Sequence, residues 1–248
     1  MRRAGPFYSL LVAAQLQTRL PIATSLEPSD EDLDRARPWL PAVGLLWGGA
    51  LAFFAWVLLS SALATPIVAA LVVTAMVVLG GAWSELGVAR TTSAWLDRDG
   101  DIYGDVREQR VAPIAVSIAV LMLIRAAGLW SIDPLAWTGA LIASQVAARF
   151  SMVVAVRAAK DPDGSGSESM SWMTFGASAL AAVMFVSFAG YGAGLLALVL
   201  SVPCGLLAAK LARGDEVVDK TAAGPAALAE VLALLCFAAL SPAAVLLM

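Results

Sequence analysis

The chain has 248 residues, of which 60% are hydrophobic and only 14% charged, with mean hydropathy +0.82 and a formal net charge of −3. Soluble domains are about half apolar and about a quarter charged, so a soluble globular protein and a disordered chain are excluded. The charge leaves no basic surface for nucleic acid, and the absence of histidine removes imidazole as base, nucleophile or metal ligand.

A membrane span needs about 20 mostly apolar residues. The first apolar stretch, 7–21, is too short, carries Gln15, Gln17 and Arg19, and ends at Pro21. It is predicted to be an amphipathic helix lying at the membrane interface; it lacks the cleavage site of a signal peptide. Spans are predicted at 40–60, 62–83, 112–130, 136–156, 173–189, 193–211 and 226–247. Pro66, Ser131-Ile132-Asp133-Pro134 and Gly190-Tyr191-Gly192 separate neighbours. The fold class is therefore all-α. One polytopic integral membrane domain, 1–248, holds about seven transmembrane helices and the interfacial helix.

Basic residues orient the bundle. Arg2, Arg3, Arg19, Arg35 and Arg37 precede the first span. Arg90, Arg98, Arg107 and Arg110 follow the second, Arg157 and Lys160 the fourth, and Lys210, Arg213 and Lys220 the sixth. The intervening connections carry no Lys or Arg. This alternation predicts a plasma (inner) membrane protein with its N-terminus and the polar loops 84–111, 157–172 and 212–225 cytoplasmic, and its C-terminus outside. Cys204 and Cys236 lie in apolar runs and read as buried thiols. The eight tryptophans mostly fall near proposed span ends, where interfacial anchoring explains them.

The loop after the second span concentrates acids. Counting Asp97 as one, carboxylates stand at one, three, five, nine and twelve (Asp97, Asp99, Asp101, Asp105, Glu108). That is calcium-loop spacing, but the required sixth-position Gly is Ile102. A looser Mg²⁺ site bridging substrate phosphates and a solvated acidic turn are the competing readings. Charges inside spans are expensive in hydrocarbon and mark function. Arg149 and Glu230 are expected to face a polar interior, and Glu85 ends the second span. Arg125 is expected to snorkel or to pair structurally.

The order of these features resembles the cobalamin synthase (adenosylcobinamide-GDP ribazoletransferase) family. Leu16-Gln17-Thr18-Arg19-Leu20-Pro21 is similar to that family's Phe-Leu-Thr-Arg-Leu-Pro, and Pro41-Ala42-Val43-Gly44 to its Phe-Pro-Leu-Val-Gly. Gly80-Gly81 ends the second span as in the family. Asp101-Ile102 and Asp105-Val106-Arg107 fall at its Glu-Ile-Met-Lys-Asp-Ser-Arg, with Gly104 at the Lys. Arg149-Phe150-Ser151-Met152 resembles its Arg-Trp-x-Met, and Glu230 a late Glu. Of the family's acidic stretch after the Gly pair, Glu85 keeps the first position; Ala89 and Thr92 replace the other two. Lys220 stands at a further acidic position, beside Asp219.

The resemblance implies a membrane transferase that joins a GDP-activated corrinoid to α-ribazole or its phosphate and releases GMP. It implies catalytic roles for Glu85, Asp105 and Arg107, and Mg²⁺ ligands at Asp97, Asp101, Asp105 and Glu85. Substrate-binding roles fall to Arg19, Arg149, Lys160, Asp219 and Glu230. The implied partners are the lipid bilayer and those two substrates, with a homo-oligomer left open. The replaced acids raise an alternative: an inert relative that keeps the fold and binds a corrinoid, lipid or partner protein. A small-solute transporter would suit the intramembrane charges, yet no inverted repeat is visible.

Overall fold

A computed structural model describes residues 5–17, 29–80, 84–89, 92, 107–158, 172–211 and 223–240. Among these residues there is no strand; the chain is built from helices α1 (Pro6–Gln17), α2 (Asp30–Ala36), α3 (Leu40–Leu59), α4 (Thr65–Leu79), α5 (Arg107–Trp130), α6 (Trp137–Ala158), α7 (Trp172–Leu211) and α8 (Ala223–Leu240). Short 3-10 turns at Arg37–Trp39 and Pro134–Ala136 lead into α3 and α6. Each begins on a proline or reaches one in its first turn, where the missing N–H costs nothing. Ser29 caps α2 through a capping box with Asp32.

Among the described residues, five helices are long and apolar enough to cross a membrane: Glu31–Leu59, Val111–Trp130, Pro134–Ala158, Gly192–Lys210 and Ala223–Leu240. Two more apolar helices, Thr65–Val78 and Met173–Ser187, are shorter. The predicted spans at 40–60, 112–130, 136–156, 193–211 and 226–247 meet helices of spanning length, the last described to Leu240, while those at 62–83 and 173–189 meet shorter apolar helices among the described residues. α4 is shorter than the predicted 62–83 because Ala64 is extended and Pro66 starts the helix one turn late.

The predicted break at Gly190-Tyr191-Gly192 takes a particular form. α7 comprises 40 residues, which laid straight as one helix would reach about 60 Å, twice the hydrocarbon thickness. It is not straight. A Cβ placed on Gly194 would lie 2.6 Å from Val186 Cγ1 and 3.1 Å from the Val186 carbonyl oxygen. Residues eight apart on a straight helix stand about 12 Å apart along the axis, so the chain doubles back between them. Consistently, Phe175 stacks on Phe150 of α6 at 6.2 Å while Gly205, from the far limb, packs on Ser151 and Val154 of the same helix.

The hub is α6. It packs against α3, both limbs of α7, and α8. Every residue from Ser144 to Ala155 on it is buried. The buried hydroxyls of Ser144 and Ser151 donate back to the carbonyls of Leu141 and Ala148, which satisfies them without a neighbour. Small residues let the neighbours approach. A Cβ on Gly48 would sit 2.6 Å from Ile142 Cα, and one on Gly205 would sit 2.3 Å from the Ser151 carbonyl. Close backbone contact of this kind is how helices associate where lipid offers no hydrophobic drive. The outer shell is apolar: Phe53, Leu123 and Val199 are each about two-thirds exposed. With five spanning-length helices beneath that shell, the chain is an integral membrane protein in contact with lipid.

α1 packs on α2 and α3, where Ser9, Val12, Ala13 and Gln17 are buried. Trp137 is no interfacial anchor; it is 1% exposed and its indole N–H donates to the Ile132 carbonyl at 3.0 Å. Trp56 and Trp130, near helix ends, are exposed. Cys204 and Cys236 are buried free thiols.

Candidate functional site

A hydrophobic bundle tolerates charge only where partners are supplied. Arg125 of α5, 1% exposed, shows the cost being met. One guanidinium nitrogen pairs with Glu85 Oε1; the other donates to Glu230 Oε2 at 2.7 Å and to Ser84 Oγ at 3.1 Å. Ser84 Oγ in turn bonds Glu85 Oε2 at 3.0 Å. A planar fork suits this double engagement; an ammonium would not reproduce it. The three charged groups come from 84–89, α5 and α8, so the cluster staples three parts of the fold.

Arg149 of α6 is treated differently. Its Nη1 donates to Gln145 Oε1 at 2.6 Å and to the Gln145 carbonyl at 3.1 Å, one turn back on its own helix. It makes no ion pair among the described residues, and its Nε is buried with no hydrogen-bond partner. Arg125 and Glu230 line the same cavity as Arg149. Glu230 keeps Oε1 buried without a partner at hydrogen-bonding geometry, with the Gln145 amide in its neighbourhood.

These groups surround one cavity of about 40 Å³. It is lined by Gln17, Trp47, Met76, Gly80, Ser84, Arg125, Gln145, Ala148, Arg149, Met152, Ala226 and Glu230. Gln17 closes one side, donating to Met152 Sδ at 3.1 Å. Gly44 lies beneath, where a Cβ would meet Arg149 Cδ at 2.9 Å and the Gln145 carbonyl at 2.7 Å.

Of the residues expected from sequence, the structure brings together Glu85, Arg149 and Glu230. The side chain of Arg107, at the first turn of α5, lies outside the described residues, as do Arg19, Asp97, Asp101, Asp105, Lys160 and Asp219. Of the two readings of Arg125, snorkelling or structural pairing, the structure shows pairing, and with two carboxylates at once, Glu85 and Glu230. Gln145, Ser84 and Trp47 were not anticipated; for Gln145 the signal was present, as a polar residue one turn before Arg149 within an apolar run.

Among the described residues no three His, Cys, Asp or Glu side chains are grouped to hold a metal ion. Glu85 and Glu230 are both engaged by Arg125, so these residues do not by themselves form a Mg²⁺ site. Two oxygens held by a guanidinium are not the open octahedral oxygen set that ion demands.

The fold and the site together define a polytopic helical membrane protein with a buried, charge-lined pocket at the centre of its bundle. The family model for cobalamin-5-phosphate synthase matches residues 9–241, and the chain belongs to that family. An adenosylcobinamide-GDP ribazoletransferase of Ectopseudomonas mendocina (strain ymp) is 37% identical over 118 residues, covering 46% of this chain and 47% of that protein. The protein of the same name from Pseudomonas entomophila (strain L48) is 33% identical over 152 residues, 60% of each chain. That of Pseudomonas fluorescens (strain SBW25) is 30% identical over 154 residues, 60% of this chain and 61% of its own. The chain thus spans about half to three fifths of the length of the relatives it matches. No solved structure matches.

Proposed function

We propose that the protein is a membrane-bound transferase of cobalamin synthesis. It joins adenosylcobinamide-GDP to α-ribazole or its phosphate and releases GMP. The observation that carries this reading is convergence. Gly44, Gly80, Glu85, Arg149, Met152 and Glu230 are among the positions at which the chain resembles the family's motifs. They are scattered from 44 to 230 in the sequence. Four of them line the cavity described above; Gly44 underlies it, and Glu85 is held beside it by Arg125 and Ser84. Packing alone would not gather polar and small residues from several such motifs around one void.

In the proposed reaction a ribazole hydroxyl oxygen forms a bond to the phosphorus on the corrinoid side of the anhydride. The bond from that phosphorus to the GMP oxygen breaks. The hydroxyl proton leaves to a carboxylate, and GMP departs with the electron pair. Arg149 is suited to hold a phosphate oxygen and Glu230 to accept a hydrogen bond. Magnesium belongs to the proposal through Asp97, Asp101 and Asp105 beside Glu85. Asp105 and Arg107 retain the catalytic roles that the resemblance implies; Arg19, Lys160 and Asp219 are proposed to contact substrate.

The full chain in phospholipid vesicles, given both substrates and Mg²⁺, is expected to release GMP. Asp105→Ala or withdrawal of Mg²⁺ is expected to abolish release without lowering thermal stability. No GMP where a family transferase works would overturn the reading in favour of an inert relative. One feature favours that alternative: Ala89 and Thr92 occupy acidic positions of the family, and the pocket acids that are seen are both bound by Arg125. The polar loops and N-terminus are proposed to be cytoplasmic. A cysteine introduced at 97–105 is expected to label from that side only.

A further inference from the structure

Arg149 is built as a held donor. Arginine has five N–H donors in a rigid fork, and two acceptors from Gln145 engage only Nη1. The clamp is short because the two residues are one helical turn apart. It is also pressed from behind. α3 passes so close at Gly44 that any side chain there would strike both the Gln145 carbonyl and the Arg149 stem. Gly44 therefore sets where the guanidinium sits. Arg149 is 8% exposed, so its remaining donors are withdrawn from bulk water and face the cavity or the protein.

Glu230 supplies the complementary group. One oxygen is used by Arg125, while buried Oε1 has no partner at hydrogen-bonding geometry. The cavity these two residues line is about 40 Å³. Since about 10–15 Å³ by this measure holds one water, it has room for a few heavy atoms. A corrin ring or a nucleobase is excluded; a phosphate group is not. Charge narrows the choice further. Arg125 and Arg149 cancel Glu85 and Glu230, so an anion offering only acceptors would meet the Glu230 carboxylate unfavourably. An anion that also offers a hydrogen satisfies both ends.

We propose that Arg149 and Glu230 Oε1 form a seat for a phosphate group that carries or adjoins a hydroxyl, with Gln145 and Gly44 as its positioning residues. Arg149 donates to the phosphate oxygens, and Oε1 accepts the hydrogen. The seat rests on the transferase reading only for the source of the phosphate, the activated corrinoid or ribazole phosphate. A phospholipid headgroup offers the same phosphate chemistry from a different source.

The test titrates the full chain, in maltoside detergent without added phospholipid, with inorganic phosphate near neutral pH and follows thermal unfolding. A saturable rise in Tm is expected. Sulfate, which has no hydrogen to give at that pH, is expected to bind about ten-fold or more weakly, as for a buried acceptor left unpaired. Arg149→Gln is expected to remove the response and Arg149→Lys to restore part of it. Gly44→Ala, and Gln145→Met as a second variant should Gly44→Ala fail to fold, are expected to weaken phosphate binding about ten-fold. For Gln145→Met the unliganded protein is expected to stay folded with a lower Tm, because Arg149 keeps the Gln145 carbonyl but loses the amide oxygen.

No saturable response in the folded protein, or wild-type affinity in Arg149→Gln, would overturn the seat. Equal binding of sulfate would overturn the role of Glu230. Displacement of phosphate by short-chain phosphatidylglycerol at equal concentration would reassign the pocket to a headgroup and overturn the small-phosphate reading. GMP release is assayed separately. Phosphate binding without release removes the transferase reading alone; release without phosphate binding removes the seat alone.

Discussion

The third and fourth apolar stretches of the chain are alike in length and carry one buried arginine each, yet they solve the problem of that charge in opposite ways. Val111–Trp130 is peripheral, with 17% of its apolar window buried inside the protein; Pro134–Ala158 is central, with 89% buried. Arg125 on the peripheral helix reaches inward to two carboxylates from other segments. Arg149 on the central helix takes only an amide and a carbonyl from its own turn. A helix with lipid at its back must bring its charge to full neutralisation, because no water remains to help. A helix enclosed by protein can hold a charge on dipoles and keep donors for a ligand. The first arginine reads as architecture, and the second as function.

The comparison can be broken most forcefully at Arg125. Arg125→Met leaves Glu85 and Glu230 buried and uncompensated, which costs about 3–5 kcal/mol where one partner of a buried pair is removed. A large drop in Tm or failure to fold is expected. A stable Arg125→Met protein would mean the cluster is not architectural. Next in size is the apolar contrast. Leu141 on α6 is 0% exposed and Leu123 on α5 is 68% exposed. Leu141→Ala should cost about 2–5 kcal/mol through cavity formation, while Leu123→Ala should stay within about 0.5 kcal/mol. Chemical denaturation in detergent measures both; equal losses would refute the central and peripheral assignment. Of the two buried arginines, the smaller effect on stability is expected at Arg149. With no ion pair to lose, Arg149→Gln should change stability by about 1 kcal/mol or less, while transfer activity falls severely. A loss as large as that of Arg125→Met would make both arginines structural.

Much of this was readable beforehand. The apolar stretches were visible from composition and length, because a bilayer sets both. The reversal in α7 was legible from Gly190 and Gly192, which fall between its two apolar limbs, Met173–Ser187 and Gly192–Lys210. Arg149 and Glu230 stood out because charge in an apolar run is costly. That Arg125 could pair structurally was legible; its partners were not. Nothing local separates it from an arginine that snorkels, and its partners lie 40 and 105 residues away. Gln145 and Gly44 were likewise invisible as a unit, since an uncharged amide and a glycine carry no signature until two helices meet. Ser144 and Ser151, by contrast, needed no partner beyond their own helix.

The amino-acid sequence by itself determined that the protein is a helical membrane bundle, roughly where its helices run and which few charges could matter. Those properties depend on transfer free energies and helical hydrogen bonds, and both are summed over neighbouring residues. Only the tertiary structure decided that Arg125 clasps two carboxylates while Arg149 stands over a small cavity with donors to spare. Ion pairing falls off steeply with distance in space and is indifferent to distance along the chain. The two arginines therefore became different residues only when the helices packed.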